Sequence, residues 1–262
     1  MKSTKHYIKN LFFISSLFIL LSFITSDNND NDFNYLPATD SSDQIIKHSY
    51  YTLSYVEEWE QPKWVAYKLT SEMVKGKTQR VNDFRIDTLV KTSSATLEDY
   101  LKSGYDKGHL CPAGDMKFSK QAMSETFYMS NMSPQKPYFN RGIWKKLEAF
   151  VRQKALSKNL LYIVTGGIIS DTAKYIGANK VSVPESYYKV IYCPNMPDCP
   201  MIAFVLKNEK SKQQLSIFTL TVDSLEKLTK IDFFSALPDS LETNYESNSK
   251  VNSWFIHDIK LN

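Results

Sequence analysis

The sequence predicts an α+β domain, and three observations carry that reading. Several segments have the aromatic and β-branched bias of strands, among them YYTLSYV, KWVAYKLT, SYYKVIYC and MIAFVLKN. One long segment, NRGIWKKLEAFVRQKALSK, repeats apolar residues at helical spacing. The 262-residue chain is 42% hydrophobic and 23% charged with only 8 glycines, a balance that supports a real core and excludes a disordered or low-complexity chain.

Taken in order, the N-terminus begins with Lys2, Lys5 and Lys9, followed by an apolar run from Leu11 to Ile24. The run is short for a membrane span, which needs about 20 residues, and suits the apolar core of a signal peptide. Residues 1–26 are therefore expected to be a signal for export to the periplasm or medium, with a membrane anchor at residues 11–24 as the alternative. Residues 27–47 are rich in Asp, Asn and Ser and read as a polar linker. A single α+β domain is expected over residues 48–240, and residues 241–262 read as a polar, peripheral tail.

Within that domain, residues 94–103 suggest a short helix or an extended loop, and Ser119 starts a short helix to about 126. The best helix runs from about 140 to 155, with Ile143, Leu147, Phe150 and Val151 on its apolar face. LLYIVTGGII is a continuous apolar run that suits a buried strand. SYYKVIYC and MIAFVLKN follow as strands joined by the Cys193 to Cys199 loop, and SIFTLTV is a further strand. VDSLEKLTKIDFF starts a helix, with Asp223 as the expected cap three residues before Glu226.

Charge gives little at the level of the whole chain. The formal total is +4, and residues 1–26 hold three lysines and no acid, so the rest is close to neutral. A nucleic-acid partner must be argued from local charge. Between 136 and 158 stand Lys136, Arg141, Lys145, Lys146, Arg152, Lys154 and Lys158 against Glu148 alone, a segment able to neutralise phosphates or simply a solvated basic face. Of three cysteines, Cys193 and Cys199 are placed to close a small loop as a disulfide, and Cys111 is left as a buried free thiol. No CxxC or HxxxH spacing supports zinc.

The chemistry is concentrated in YDKGHLCP, residues 105–112. His6 lies in the N-terminal segment, His48 at the domain edge and His257 in the tail, which leaves His109 as the one central histidine. A lone histidine is more often structural than catalytic. Its company downstream shifts that balance: Asn140, Trp144, Glu148 and Arg152 recur at steps of four, one slowly turning helical stripe, largely polar.

DKGH followed by LCPAGDM, then TFYMSNMSPQ, then the N-x7-E of NRGIWKKLE, resembles the DNA/RNA non-specific endonucleases of the ββα-metal type. The likeness extends through YIVTGGII, VPESYYKVI, AFVL and SLEKLTKIDFFSALPD, roughly residues 48–240. It implies a ββα-metal (His-Me finger) nuclease fold, with a central, mostly antiparallel sheet flanked by helices. It also implies metal-dependent, sequence-non-specific hydrolysis of DNA, RNA or both, with 5′-phosphate and 3′-hydroxyl products. His109 is the implied general base on water. Asn140 would give an oxygen ligand to one Mg²⁺, with Mn²⁺ an acceptable substitute. Glu148 would orient water of the ion's hydration shell, and Arg152 would stabilise charge on the phosphorane. Asp106, Asn131 and Gln135 would be scaffold. Lys107 stands where the family pattern D-R-G-H has Arg, keeping the charge but losing the planar fork. Lys107, Arg80 from RVNDFRID, and Arg141 are candidate phosphate contacts. A homodimer is also compatible with the family.

Two rival readings remain at this point. One is a cysteine-dependent hydrolase pairing Cys111 with His109, which thiol alkylation would test. The other is an exported, non-catalytic nucleic-acid-binding protein on a decayed nuclease fold, a reading that only Lys107 invites.

Overall fold

The computed structural model describes residues 33–198, 200–248 and 251–255. Strands β1 (Gln44–Lys47), β2 (Thr52–Val56) and β3 (Gln61–Thr70) form an antiparallel meander. Helix α1 (Ser71–Lys75) follows at once, its N-terminus capped by the Thr70 hydroxyl, which accepts from the Met73 amide. A long excursion then carries α2 (Leu97–Tyr100), β4 (Asp106–His109), α3 (Lys120–Glu125) and β5 (Met132–Gln135). The chain returns through α4 (Lys145–Lys158) to β6 (Leu160–Ile168), the small hairpin β7 (Tyr175–Ile176) and β8 (Val181–Ser182), and then β9 (Ser186–Tyr192). It ends with β10 (Met201–Lys207), β11 (Thr219–Leu220), α5 (Val222–Thr229), α6 (Asp239–Glu246) and α7 (Asn252–Phe255).

Seven strands make the central sheet, in the order β1-β2-β3-β6-β9-β10-β11, and every pairing is antiparallel. The fold is α+β, as the sequence predicts. Both faces of the sheet are covered, which is why its strands read as continuous apolar runs and not as an alternation. Side chains still alternate between the faces. Val65, Tyr67 and Leu69 of β3, Leu161 and Ile163 of β6, and Tyr187 and Ile191 of β9 pack in one layer with Leu147, Val151 and Ala155 of α4. Trp64 and Ala66, Tyr162 and Val164, and Tyr188 and Val190 pack in the opposite layer with Val222 and Leu225 of α5. Each fully buried large apolar side chain contributes about 1.5–3 kcal/mol of transfer free energy. The first layer therefore holds α4, and with it the residues it carries, against a sheet that α5 backs on its other face.

Several local expectations need correction. The helix expected from about 140 to 155 is preceded by a π-helical turn, Phe139–Trp144, in which Gly142 sits at φ −106 and ψ −109, outside the helical range; the α-helix proper runs from Lys145 to Lys158. A π turn adds a residue to the circuit, so Asn140 is not on a simple four-residue stripe with Glu148, and Trp144 turns fully into the core. SIFTLTV is mostly a 3-10 turn, Leu215–Phe218, with only Thr219–Leu220 paired as strand. The cap of α5 is Thr221, whose hydroxyl accepts from the Ser224 amide, and not Asp223. Strand β1 lies within residues 27–47, and Phe33, Tyr35 and Leu36 of that span pack against the core. At the other end α6 begins at Asp239 and Trp254 of α7 is fully buried, so this part of the 241–262 span is not peripheral. In both places scattered aromatic residues outweigh a polar composition. The Cys193–Cys199 pairing, His257 and the apolar run at 11–24 fall outside the described residues. Among the described residues no helix is long and apolar enough to cross a membrane.

Candidate active site

Strands β4 and β5 form a separate two-stranded ladder, with Asp106 opposite Gln135, Lys107 opposite Pro134, Gly108 opposite Ser133 and His109 opposite Met132. The close pairing needs a glycine at 108, because a Cβ there would lie 2.2 Å from the Gln135 side chain. Asn131 fastens the end of this ladder: its side-chain oxygen accepts from the Cys111 amide, and its amide donates to the carbonyls of Cys111 and Thr126. Asn131 is thus the scaffold the sequence suggests. Gln135 is not tied in the same way, since both of its side-chain polar atoms are buried without a partner.

The ladder and α4 converge on one cavity of about 440 Å³. Arg80, Lys107, His109, Asn140, Arg141, Glu148 and Arg152 all line it, together with Lys145 and the Pro112–Gly114 turn. All seven candidate residues named from the sequence therefore meet at one place. Five cations around one carboxylate make the lining strongly positive.

His109 sits at the end of β4 and is 8% exposed. The edges of Phe84 and Phe127 enclose its ring, with centroids 5.8 and 4.9 Å away. The Lys107 carbonyl lies near enough to favour a charged ring, and Nε2 is buried without a hydrogen-bond partner among the described residues. A neutral ring with its proton on Nδ1 leaves the Nε2 lone pair available. Burial, and then the nearby Arg80 charge, push the imidazole down to about 3. It is a free base throughout the neutral range.

Asn140 donates from its side-chain amide nitrogen to Asp106 at 2.9 Å. A carboxylate only accepts, so this contact assigns the nitrogen to the Asp106 side and leaves the amide oxygen free for the cavity. Asp106 also takes a bidentate fork from Arg141, at 2.8 and 2.6 Å. That guanidinium is 73% exposed, so it holds Asp106 at the rim while remaining open to solvent. Lys107 lays its ammonium over the Phe84 ring at 4.9 Å, and Arg80 lies over Phe127 at 4.8 Å, donating to Asn82.

Deeper in, Arg152 donates to Asp115 at 2.8 Å, and the Tyr67 hydroxyl donates to the other oxygen of the same carboxylate at 2.9 Å. Asp115 is fully buried, and this acid went unnoticed in the sequence. Its position in LCPAGDM, a 3-10 turn right after the histidine, was the available signal. Glu148 makes no hydrogen bond among the described residues. Burial foremost, then the charge of Asp115, raise its carboxyl to about 7, while Lys189, Arg152 and Arg80 pull the other way. Cys111 is fully buried, and burial holds its thiol well above the usual range, so it has no thiolate to offer as a nucleophile. His48 bonds the buried Asp87 at 2.9 Å, a structural pairing away from the cavity.

An oxygen-seeking divalent cation fits this donor set: a free amide oxygen, a carboxylate without a hydrogen bond, and room for water. Among the described residues, the one carboxylate group close enough to share an ion directly is Asp223, Glu226 and Glu246. It lies on α5 and α6, and none of its members lines the cavity.

Residues 29–240 match the family described as DNA/RNA non-specific endonuclease. The chain belongs to that family. It is 38% identical over 204 residues to the mitochondrial nuclease EXOG of Danio rerio, covering 71% of this chain and 60% of the relative. To the mitochondrial nuclease of Saccharomyces cerevisiae it is 33% identical over 211 residues, covering 71% of this chain and 64% of the relative. The chain thus spans less than two thirds of the length of these relatives. A solved structure of an endonuclease G complex with its inhibitor EndoGI superposes with a TM-score of 0.71 at 32% identity, covering 78% of this chain and 89% of that one. The ββα-metal assignment of the fold stands.

These relatives overturn the expectation of export. Both nucleases are mitochondrial by name, and they point to a mitochondrial location rather than to export through a signal peptide. Residues 1–26 are basic, free of acids and carry several serines. Organelle-targeting segments are likewise basic, serine-bearing and poor in acids, although they favour arginine, which this span lacks.

Proposed function

We propose that this chain is a metal-dependent, sequence-non-specific endonuclease that hydrolyses phosphodiester bonds of DNA, RNA or both. The observation that carries the reading is the unpartnered Nε2 of His109 in a cavity lined by five cations. An anionic, phosphate-bearing substrate is what such a lining attracts, and a neutral imidazole with a free lone pair is what removes a proton from water.

Arg80, Lys107 and Arg141 draw the phosphodiester backbone into the cavity. Contacts of this kind do not read bases, so cleavage is indifferent to sequence. His109 takes the proton from the attacking water at Nε2, and the nearby Lys107 carbonyl favours the imidazolium that results. Glu148 accepts a hydrogen bond from water on the α4 side, and its neighbour Arg152 neutralises negative charge that builds on the phosphoryl oxygens. The water oxygen bonds to phosphorus as the bond to the 3′ oxygen breaks, and the departing oxygen takes a proton from solvent, leaving a 5′-phosphate and a 3′-hydroxyl. Asn140, through its free amide oxygen, would hold a divalent ion, Mg²⁺ or alternatively Mn²⁺, which when bound polarises the phosphoryl group and stabilises the departing 3′ oxygen. Membership of the family and the donor set both support such metal dependence. The relatives favour mitochondria as the compartment.

Plasmid DNA and RNA incubated with the purified chain, with Mg²⁺ or with EDTA, test this directly. Cleavage in Mg²⁺ and none in EDTA is expected. Absence of metal-dependent cleavage would instead support a non-catalytic binding protein on the same fold.

A further inference from the structure

The acids between α5 and α6 are arranged around one point. Asp223 and Glu226 stand three residues apart on α5, one turn of one face, and Glu246 comes from α6. Each offers a carboxylate oxygen, and these oxygens all lie within 4.8 Å of one another. Asp223 is not consumed as the helix cap, since Thr221 takes that position. Glu226 accepts from the Phe233 amide at 2.8 Å, which ties its carboxylate to the loop between the two helices. Val222 and Leu225, on the adjoining face of α5, pack into the sheet layer with Tyr188 and Val190. The acids therefore stand on an anchored helix.

Acids often gather at a protein surface without holding anything, but Glu246 is not at the surface. It is 6% exposed, and its Oε1 is buried without a hydrogen-bond partner. One turn earlier on the same face of α6, Glu242 also has a buried Oε1 with no partner. Among the described residues no lysine or arginine makes a salt bridge with any of these acids. A buried carboxylate oxygen needs a hydrogen bond, an opposite charge or a metal ion. We propose that α5 and α6 hold a structural Ca²⁺ ion between Asp223, Glu226 and Glu246, at a site separate from the catalytic cavity.

The donor set selects the ion. Three carboxylates, with no nitrogen or sulfur ligand, favour a hard cation over zinc or copper. Ca²⁺ accepts oxygens at about 2.3–2.6 Å in loose geometry, so two ligands of one ion can stand up to about 5 Å apart. Mg²⁺ demands a near-ideal octahedron at about 2.0–2.1 Å, and it is usually held by one or two carboxylates with several waters. Bound here, Ca²⁺ offsets the mutual repulsion of the acids. It also fastens α6, and the chain that leads on to the buried Trp254, to α5 and the sheet face that α5 covers. The assignment does not depend on the catalytic reading, since no member of the cluster lines the cavity.

Thermal melting of the full chain at pH 8, first in EDTA and then in Ca²⁺, tests the assignment. The same melts on Asn140→Ala separate this site from any ion held in the cavity. Ca²⁺ at about 100 times its dissociation constant should raise Tm by about 5–10 °C, in the parent and in Asn140→Ala alike. Asp223→Asn and Glu246→Gln should each lose most of that rise. In EDTA both should melt close to the parent or above it, because one of three repelling charges is gone. Both should also cleave DNA in Mg²⁺ as the parent does. Should Glu246→Gln fail to fold, Asp223→Asn, at a half-buried position, carries the comparison by itself. No rise with Ca²⁺ in Asn140→Ala, or a full rise in Asp223→Asn, would overturn the site. An equal rise with Mg²⁺ at the same concentration would overturn the choice of Ca²⁺. The melts need no substrate, so they stand even for a chain that cleaves nothing.

Discussion

Two clusters of acids in this protein are treated differently by their surroundings. Glu148 lines the cavity and Asp115 is buried; Arg152 and Lys189 act on both, and Asp115 receives two direct hydrogen bonds. Between α5 and α6, Asp223, Glu226 and Glu246 converge with no salt bridge to any lysine or arginine among the described residues. There, burial and the mutual charge of the acids raise Glu226 to about 7 and Glu246 to about 8. Raised proton affinity alone therefore does not mark a site of chemistry. What distinguishes the cavity is the set of cations that can share their charge with a phosphate, beside a histidine with a free nitrogen.

The sharpest way to break that distinction is to disable one member of each cluster and compare cleavage. His109→Ala is expected to reduce kcat by about 10²–10⁴-fold, the usual contribution of a general base. Asn140→Ala should abolish metal-dependent cleavage while leaving the circular dichroism spectrum unchanged. Glu226→Gln and Glu246→Gln should leave kcat within twofold of the parent. If either glutamine variant of the α5–α6 cluster lost activity as His109→Ala does, the separation of the two regions would collapse.

A second comparison concerns stability. Asp115 is fully buried and paired with a half-buried arginine, and removing one partner of a buried pair commonly costs about 3–5 kcal/mol. Arg152→Ala should fall near the lower end, since the arginine is partly solvated and Tyr67 still reaches the acid. Arg152→Met with Asp115→Asn should cost less than either change alone would suggest. Chemical denaturation at pH 7 measures all of these. Disruption of the exposed Arg141–Asp106 fork, by contrast, should change stability little, because solvent screens it.

The sequence exposed one kind of information well and another poorly. His109, Asn140, Glu148 and Arg152 were legible because each is polar and set in a segment with recognisable order, and the resemblance to a nuclease family fixed their roles as expectations. The strands of the sheet were legible because both faces are buried and the residues read as apolar runs. Lys189 was not legible: it sits inside VPESYYKVI, where a lysine in an aromatic strand looks like an outward-facing residue at an edge. Only the pairing of β9 between β6 and β10 puts it in the middle of the sheet under α4. Asp115 was hidden for a similar reason, since nothing local says that Tyr67, forty-eight residues earlier, will meet it. The π turn at Phe139–Trp144 was likewise invisible to a helical count, because apolar spacing on either side of it remains close to helical. Partners brought together by sheet order and by a single added residue are tertiary facts.

A last predicted effect returns to the α5–α6 acids and tests the sign of their coupling to pH. Glu246 is only 6% exposed, and burial foremost holds its carboxyl near 8, above its value in an unfolded chain. The folded protein therefore binds a proton that the unfolded chain has released. Stability from this group is fully present below about pH 4.5 and is lost as pH rises toward 8. Glu246→Gln removes that dependence, since a neutral amide has no proton to lose. The variant should equal the parent near pH 5 and exceed it by about 1–2 kcal/mol at pH 8.5, after allowance for partial solvation. For a chain of this size that corresponds to a rise in Tm of roughly 2–8 °C. The same substitution logic at Glu148 gives a smaller gain, because Lys189, Arg152 and Arg80 already support its charge. Melting curves of the two glutamine variants between pH 5 and 9 would rank the clusters, and a larger alkaline gain at Glu148 than at Glu246 would reverse the contrast drawn here.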